Sequence, residues 1–132
     1  MAAQTKEIDI VAAFGGTGDY GQRFSVYIPN KDQAGEPVAQ KEWIDSALRL
    51  LSEIGGGATA MPPVTGAWLN PKTDKLIIEE PVVVYTYVKP DVFVERLGEL
   101  AAFVKRMGRE TNQGSIGLEF DGEFFTVEDF SN

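Results

Sequence analysis

Val82-Val83-Val84-Tyr85-Thr86-Tyr87-Val88, running on into Lys89-Pro90-Asp91, decides how the rest of this chain can fold. Every residue of the first run is β-branched or aromatic, the composition of a strand buried on at least one face. Proline is favoured at the first position of a helix, and an acidic residue beside it suits the positive end of the helix dipole. From there apolar residues recur at Phe93, Leu97, Leu100, Ala101, Val104 and Met107, which is the stripe of a helix with one buried side. Lys105 and Arg106 suit its last turn, and Gly108 reads as its stop. A strand thus feeds directly into an amphipathic helix.

The same unit occurs once before it. Phe24-Ser25-Val26-Tyr27-Ile28 alternates and ends at Pro29, and a second apolar stripe falls at Trp43, Ile44, Ala47, Leu48, Leu51 and Ile54. Gly55-Gly56-Gly57 closes that helix, since glycine enters the left-handed region at little cost. Ala58 to Leu69 is strand-like but broken by Met61-Pro62-Pro63, and Asn70 to Asp74 reads as a turn into Leu76-Ile77-Ile78. Beyond the second helix, Ser115 to Phe120 and Glu123 to Val127 flank Asp121-Gly122, a strong hairpin signal. The order strand, helix, strand, strand, helix, strand is the ferredoxin-like split βαβ, an α+β class with two helices on one face of an antiparallel sheet. One domain, residues 1–132, is expected: an N-terminal strand (Ile8 to Phe14) and Gly-rich loop over 1–21, the core over 22–120, and a C-terminal β-hairpin arm over 121–132.

Composition narrows the chemistry. With no histidine and no cysteine, neither a Ser-His-Asp relay, a thiolate nucleophile nor a His/Cys zinc site can be built. No catalytic residues, no metal site and no cofactor are therefore assigned. Twelve Lys and Arg against twenty Asp and Glu give a net charge of −8, which repels phosphate backbones and argues against a nucleic-acid partner. No run approaches the ~20 apolar residues that span a bilayer. The start, MAAQTKEIDIVAAF, carries Lys6, Glu7 and Asp9 without a long apolar run, so a cytoplasmic protein is expected.

Gly16-Thr17-Gly18-Asp19-Tyr20-Gly21 matches the G-x-G-x-x-G of dinucleotide-binding loops. That loop works only where a helix starts at the third glycine and presents its N-terminus to the pyrophosphate. Here Gln22-Arg23 leads within three residues into a β run, so the match lacks its context. Carboxylates come in pairs (Glu79 with Glu80, Asp121 with Glu123, Glu128 with Asp129), yet none has the spacing of a calcium loop.

Two groups of residues are better candidates. If the helices cover Phe24, Val26 and Ile28, alternation turns Tyr27, Tyr85 and Tyr87 to the opposite face of the sheet. Phe124, Phe125 and Phe130 could supply a covering arm there. The polar run Arg109-Glu110-Thr111-Asn112-Gln113 offers donors and acceptors for a pocket rim, with Arg109 suited to grip a carboxylate or phosphate.

Gly56-Gly57-Ala58-Thr59, Gly66-Ala67-Trp68 and Glu79-Glu80, with the strand and helix from Phe24 to Ile54 before them, resemble small bacterial domains of unknown function. In those a glycine-rich turn leads to a Gly-x-Trp strand and a hairpin. The resemblance covers residues 22–128 and implies a ferredoxin-like fold, with no activity or residue role to carry over.

The resulting expectation is a non-enzymatic small-molecule-binding or accessory protein, a homodimer through its open sheet face. Tyr27, Trp68, Tyr85 and Tyr87 would supply stacking surface, and Arg109, Asn112 and Gln113 polar anchors. The alternatives are a small enzyme using Tyr, Arg and Glu, and an acidic inhibitor or nucleic-acid mimic.

Overall fold

Two strands at the centre organise the structure, a computed structural model that describes residues 8–17 and 21–132. Strand β1 (Gln22–Ile28) pairs antiparallel along its whole length with β5 (Val82–Val88), from Gln22 opposite Val88 to Ile28 opposite Val82. Between them in sequence lie α2 (Gln40–Gly55), the short β2 (Thr59–Ala60), and the hairpin of β3 (Gly66–Asn70) and β4 (Lys75–Glu79). After β5 come α3 (Pro90–Glu95), α4 (Leu97–Glu110), β6 (Ile116–Phe120) and β7 (Glu123–Val127). The main sheet runs β2-β5-β1-β6-β7 and every pairing in it is antiparallel. The class is α+β.

Phe24, Val26 and Ile28 of β1 and Val82, Val84 and Val88 of β5 are buried, together with Leu118 and Ile116 of β6. Against them pack Ala47, Leu51 and Ile54 of α2 and Leu100, Phe103, Val104 and Met107 of α4; Leu97 and Ala101, expected in the buried stripe, are exposed, and Phe103, outside it, is buried. Each such side chain contributes about 1.5–3 kcal/mol by leaving water. Phe93 links the layers: its ring stacks on Phe120 at 4.0 Å and meets Phe24 at 5.5 Å. Gly56 ends α2 in the left-handed region (φ 87°), with its N–H donating to the Ser52 carbonyl. Asp121 and Gly122 (φ 51° and 84°) form the tight turn expected between β6 and β7.

Three expectations need correction, and part of a fourth lies outside the described residues. The N-terminal strand is absent: Ile10–Ala13 form a single helical turn, α1, because the Asp9 carboxylate accepts from the Ala12 amide and caps it. Of the glycine-rich loop, residues 18–20 lie outside the described residues, and Gly21 passes directly into β1. The second helix is divided at Arg96, whose guanidinium is held by both oxygens of Glu99 at 2.8 Å. Gly108 is no stop; it sits inside α4, where a Cβ would lie 2.3 Å from the Phe130 ring, so its missing side chain makes room for the C-terminal tail.

The C-terminal segment is shared between two sides. β7 extends the sheet as its edge strand, while Phe130 returns to the helices. The β3–β4 hairpin forms a separate two-stranded sheet, and only Thr59 and Ala60 of that region join the main one. Among the described residues no helix is long and apolar enough to cross a membrane.

Candidate functional site

Cross-strand partners in an antiparallel sheet project on the same side. The register therefore lays out the face turned away from the helices as a row: Thr59, Tyr85, Ser25, Glu119 and Phe124. Arg23 lies opposite Tyr87, and Tyr27 opposite Val83, on the same face. The tyrosines predicted to share this side do so, because Thr86, Val84 and Val88 occupy the helix side.

The row has internal structure. The Arg23 guanidinium carbon sits 3.8 Å from the centroid of the Tyr85 ring, and its Nε donates to Ser25 Oγ at 3.1 Å. The same Nε lies 4.0 Å from Glu119 Oε1. Beneath them Ser25 is fully buried although no helix covers it. A cation over a tyrosine face contributes about 0.5–1 kcal/mol where exposed and more as water is excluded. Tyr87 meets Tyr85 edge to face at 6.0 Å, and Tyr27 meets Phe124 edge to face at 5.7 Å. Gly117 permits the second pair, since a Cβ there would be 3.0 Å from Phe124 and 3.4 Å from Tyr27. The result is an aromatic shelf with one guanidinium and one carboxylate at its centre.

This shelf can stack a flat ligand and offer it a charged donor. Among the described residues the Nη groups of Arg23 make no hydrogen bond, so they remain available to a ligand acceptor. No three carboxylates among the described residues gather as a metal site, and Asp121 instead accepts from the Gln22 side-chain amide at 3.0 Å.

The other predicted residues are elsewhere. Trp68 lies on β3 of the separate hairpin, half-exposed. Arg109 holds the C-terminal tail through the Phe130 carbonyl and Asn132 Oδ1. Asn112, at φ 48°, is bound through its side chain and carbonyl to Gln33, and the Gln113 amide donates to the Lys31 and Thr111 carbonyls. These groups lock the end of α4 to the 31–33 loop. Asn112 also lines a cleft of about 450 Å³ on the helix side, with Glu42, Trp43, Arg106 and Glu110. Arg106 there lies 5.1 Å from the Trp43 ring and 3.7 Å from Glu110, so its charge is already matched. The rest of its lining mixes Pro37, Val38 and Ala39 with Ser46 and Thr111. The shelf carries the more specific chemistry.

Arg23, Ser25 and Glu119 are the site residues that sequence reasoning missed, while Phe124 stands against Tyr27 where a covering arm is expected. Their signal is the same alternation that found the tyrosines: Arg23 and Ser25 flank Phe24, and Glu119 sits between Leu118 and Phe120.

No protein-family model matches the chain, and no match was found among curated proteins. Among solved structures it is similar to a phage SAM lyase in complex with S-methyl-5'-thioadenosine. The identity is 15% and the TM-score 0.61, over 85% of this chain and 92% of that one. It is also similar to a phage SAM lyase in the apo state, at 14% identity and a TM-score of 0.54, over 83% and 90% of the two chains. At such identities the likeness is one of fold.

Proposed function

We propose that this chain binds a flat, nucleoside-sized small molecule on the shelf of Tyr27, Tyr85 and Tyr87, with Arg23 as its polar anchor, and that it does so as a homodimer closed over that face. The observation that carries the reading is the Arg23 guanidinium laid on Tyr85 above a fully buried Ser25, on the side that no helix covers. A neighbour in fold is seen with a thioadenosine, which supplies the probe. The net charge of −8 favours neutral or cationic ligands over phosphates. We read the order β2-β5-β1-β6, with its two helical connections, as the ferredoxin-like split βαβ with β7 added at one edge.

Titration calorimetry with S-methyl-5'-thioadenosine tests this. Stacking a base on an aromatic side chain contributes about 1–3 kcal/mol, so Tyr85→Ala is expected to weaken binding roughly 5- to 150-fold. Absence of binding at millimolar ligand, or equal affinity in Tyr85→Ala and Arg23→Ala, would sink the reading.

A second reading is a small enzyme in which Tyr85, Arg23 and Glu119 act on the bound molecule, favoured by the lyase among its neighbours in fold. Incubation with SAM and chromatography for released S-methyl-5'-thioadenosine separates the two. The acidic-mimic reading has less support, because Lys41 with Asp45 and Arg49 with Glu53 alternate the two signs of charge along α2.

A further inference from the structure

The hairpin of β3 and β4 is the part of the molecule least accounted for by its own chain. Its register sets Ala67 opposite Ile78 and Leu69 opposite Leu76 on one face, with Trp68 opposite Ile77 on the other. On the first face Leu69, Leu76 and Ile78 are 57%, 60% and 46% exposed, and on the second Trp68 is 49% exposed. A two-stranded hairpin is marginal in water unless its apolar side is covered. This one packs chiefly on itself, joined to the domain at its base by the Val64 amide bonded to the Pro81 carbonyl and by Gly66 against the Pro81 ring. Exposed alternating aliphatics of this kind invite pairing with another surface.

The same chain presents such a surface. On the tyrosine face Tyr87 and Phe124 are more than half exposed, beside the partly covered Tyr27 and Tyr85. The charges also match. Lys72 and Lys75 against Asp74 give the hairpin tip a local charge of +1, whereas the β6–β7 end of the shelf carries Glu119, Asp121 and Glu123. A tip of sign opposite to that of the whole molecule fits an acidic neighbour, and a second copy is one.

We infer that the β3–β4 hairpin of one copy lies with its Leu69, Leu76 and Ile78 face across the tyrosine face of a second copy, its lysines toward the β6–β7 turn. The docking does not rest on the ligand reading above. In a two-fold arrangement each copy gives one arm and receives one, which covers both apolar surfaces with a single contact type.

The test uses the full chain, whose lack of cysteine gives a clean background. Light scattering at 50 µM, about the concentration of an ordinary sizing run, is expected to show an assembly of at least two copies for the natural sequence. The double change Leu69→Asp/Leu76→Asp should raise the dissociation constant of that assembly by roughly 100-fold or more, with the far-UV dichroism unchanged because both residues lie outside the core. Leu69→Cys and Tyr87→Cys chains, mixed and treated with a short bismaleimide, should give the linked mixed pair. A monomeric natural chain, an assembly that survives the double aspartate change, or no mixed product overturns the inference. A monomer that floats with lipid vesicles would give the arm to a membrane instead. All these readings are taken without ligand, so a failed thioadenosine titration leaves them intact, and a monomeric chain that still binds through Tyr85 retains the shelf.

Discussion

The packing of α2 on β5 turns Tyr85 and Tyr87 to the other face, and Gly55→Ala probes it. Gly55 is the last residue of α2, and a Cβ there would stand 2.0 Å from Thr86 Oγ1 and 2.8 Å from the Tyr87 carbonyl oxygen. Carbon contacts are optimal at about 3.5–4.0 Å, so even the immovable backbone oxygen is too close by roughly 0.7 Å. Thr86 cannot simply rotate away, because its buried hydroxyl donates to the Gly57 carbonyl at 2.5 Å. Overpacking costs about 1–3 kcal/mol, and leaving the buried Thr86 hydroxyl without its partner adds about 1–3 kcal/mol. Alanine's better helix propensity returns no more than about 1 kcal/mol. The expected net loss is about 1–5 kcal/mol, read as a lower urea midpoint at unchanged slope and with coincident fluorescence and dichroism. Gly98→Ala in α4 is the control, since nothing lies within 4 Å of its Cβ, and it should be neutral or slightly stabilising. If Gly55→Ala stays within about 0.5 kcal/mol of the natural chain, an error typical of independent sites, helix and strand are not in contact as described and the side assigned to Tyr85 and Tyr87 loses its support.

Gly108→Ala should destabilise by about 1–2 kcal/mol through its clash with Phe130, and turn stabilising in a Phe130→Ala background, where only helix propensity remains; a urea-unfolding cycle without that reversal refutes the packing. Glu99 is held below the ordinary carboxylate range, first by its hydrogen bonds from Arg96, as is Asp129 by the hydroxyl and amide of Ser131. Carboxylates depressed in the folded state stabilise it above their unfolded pKa, and the contribution is lost as pH falls through the folded value. Glu99→Gln should therefore flatten the acid limb of the urea midpoint plotted against pH, below about 4.3, and leave neutral stability little changed because the pair is exposed.

How much of this was legible in the sequence depends on what each signal measures. Period and alternation report which residues share a face, and they placed α2, β1, β5 and the common face of the three tyrosines correctly, while on α4 they put the exposed Leu97 and Ala101 in the buried stripe and left out Phe103. Glycine is the ambiguous letter. Gly56 ends a helix by its positive φ, while Gly108 continues one and admits Phe130, and only the packing partner, 22 residues on, distinguishes them. The Ile8–Phe14 run shows the opposite error: apolar composition suggested a strand, but a single Asp9 cap decides four residues. The polar loop at 109–113 drew notice for its donors and acceptors, and those donors and acceptors are taken by Gln33, Lys31 and the tail.

Trp68 marks the deeper limit. The expectation grouped it with the tyrosines of the same chain as one stacking surface, whereas it lies on the separate hairpin. A pattern of apolar residues states that something will cover them without naming the chain it comes from. With two long helices on one side of a five-stranded sheet, the other side and the hairpin hold Tyr87, Phe124, Trp68, Leu69, Leu76 and Ile78 largely exposed among the described residues. Scattered singly, such residues would need no explanation; grouped on one arm and one shelf, they do. The two groups are complementary in kind, one aliphatic with a basic tip and one aromatic with an acidic rim, and a second copy supplies both at once.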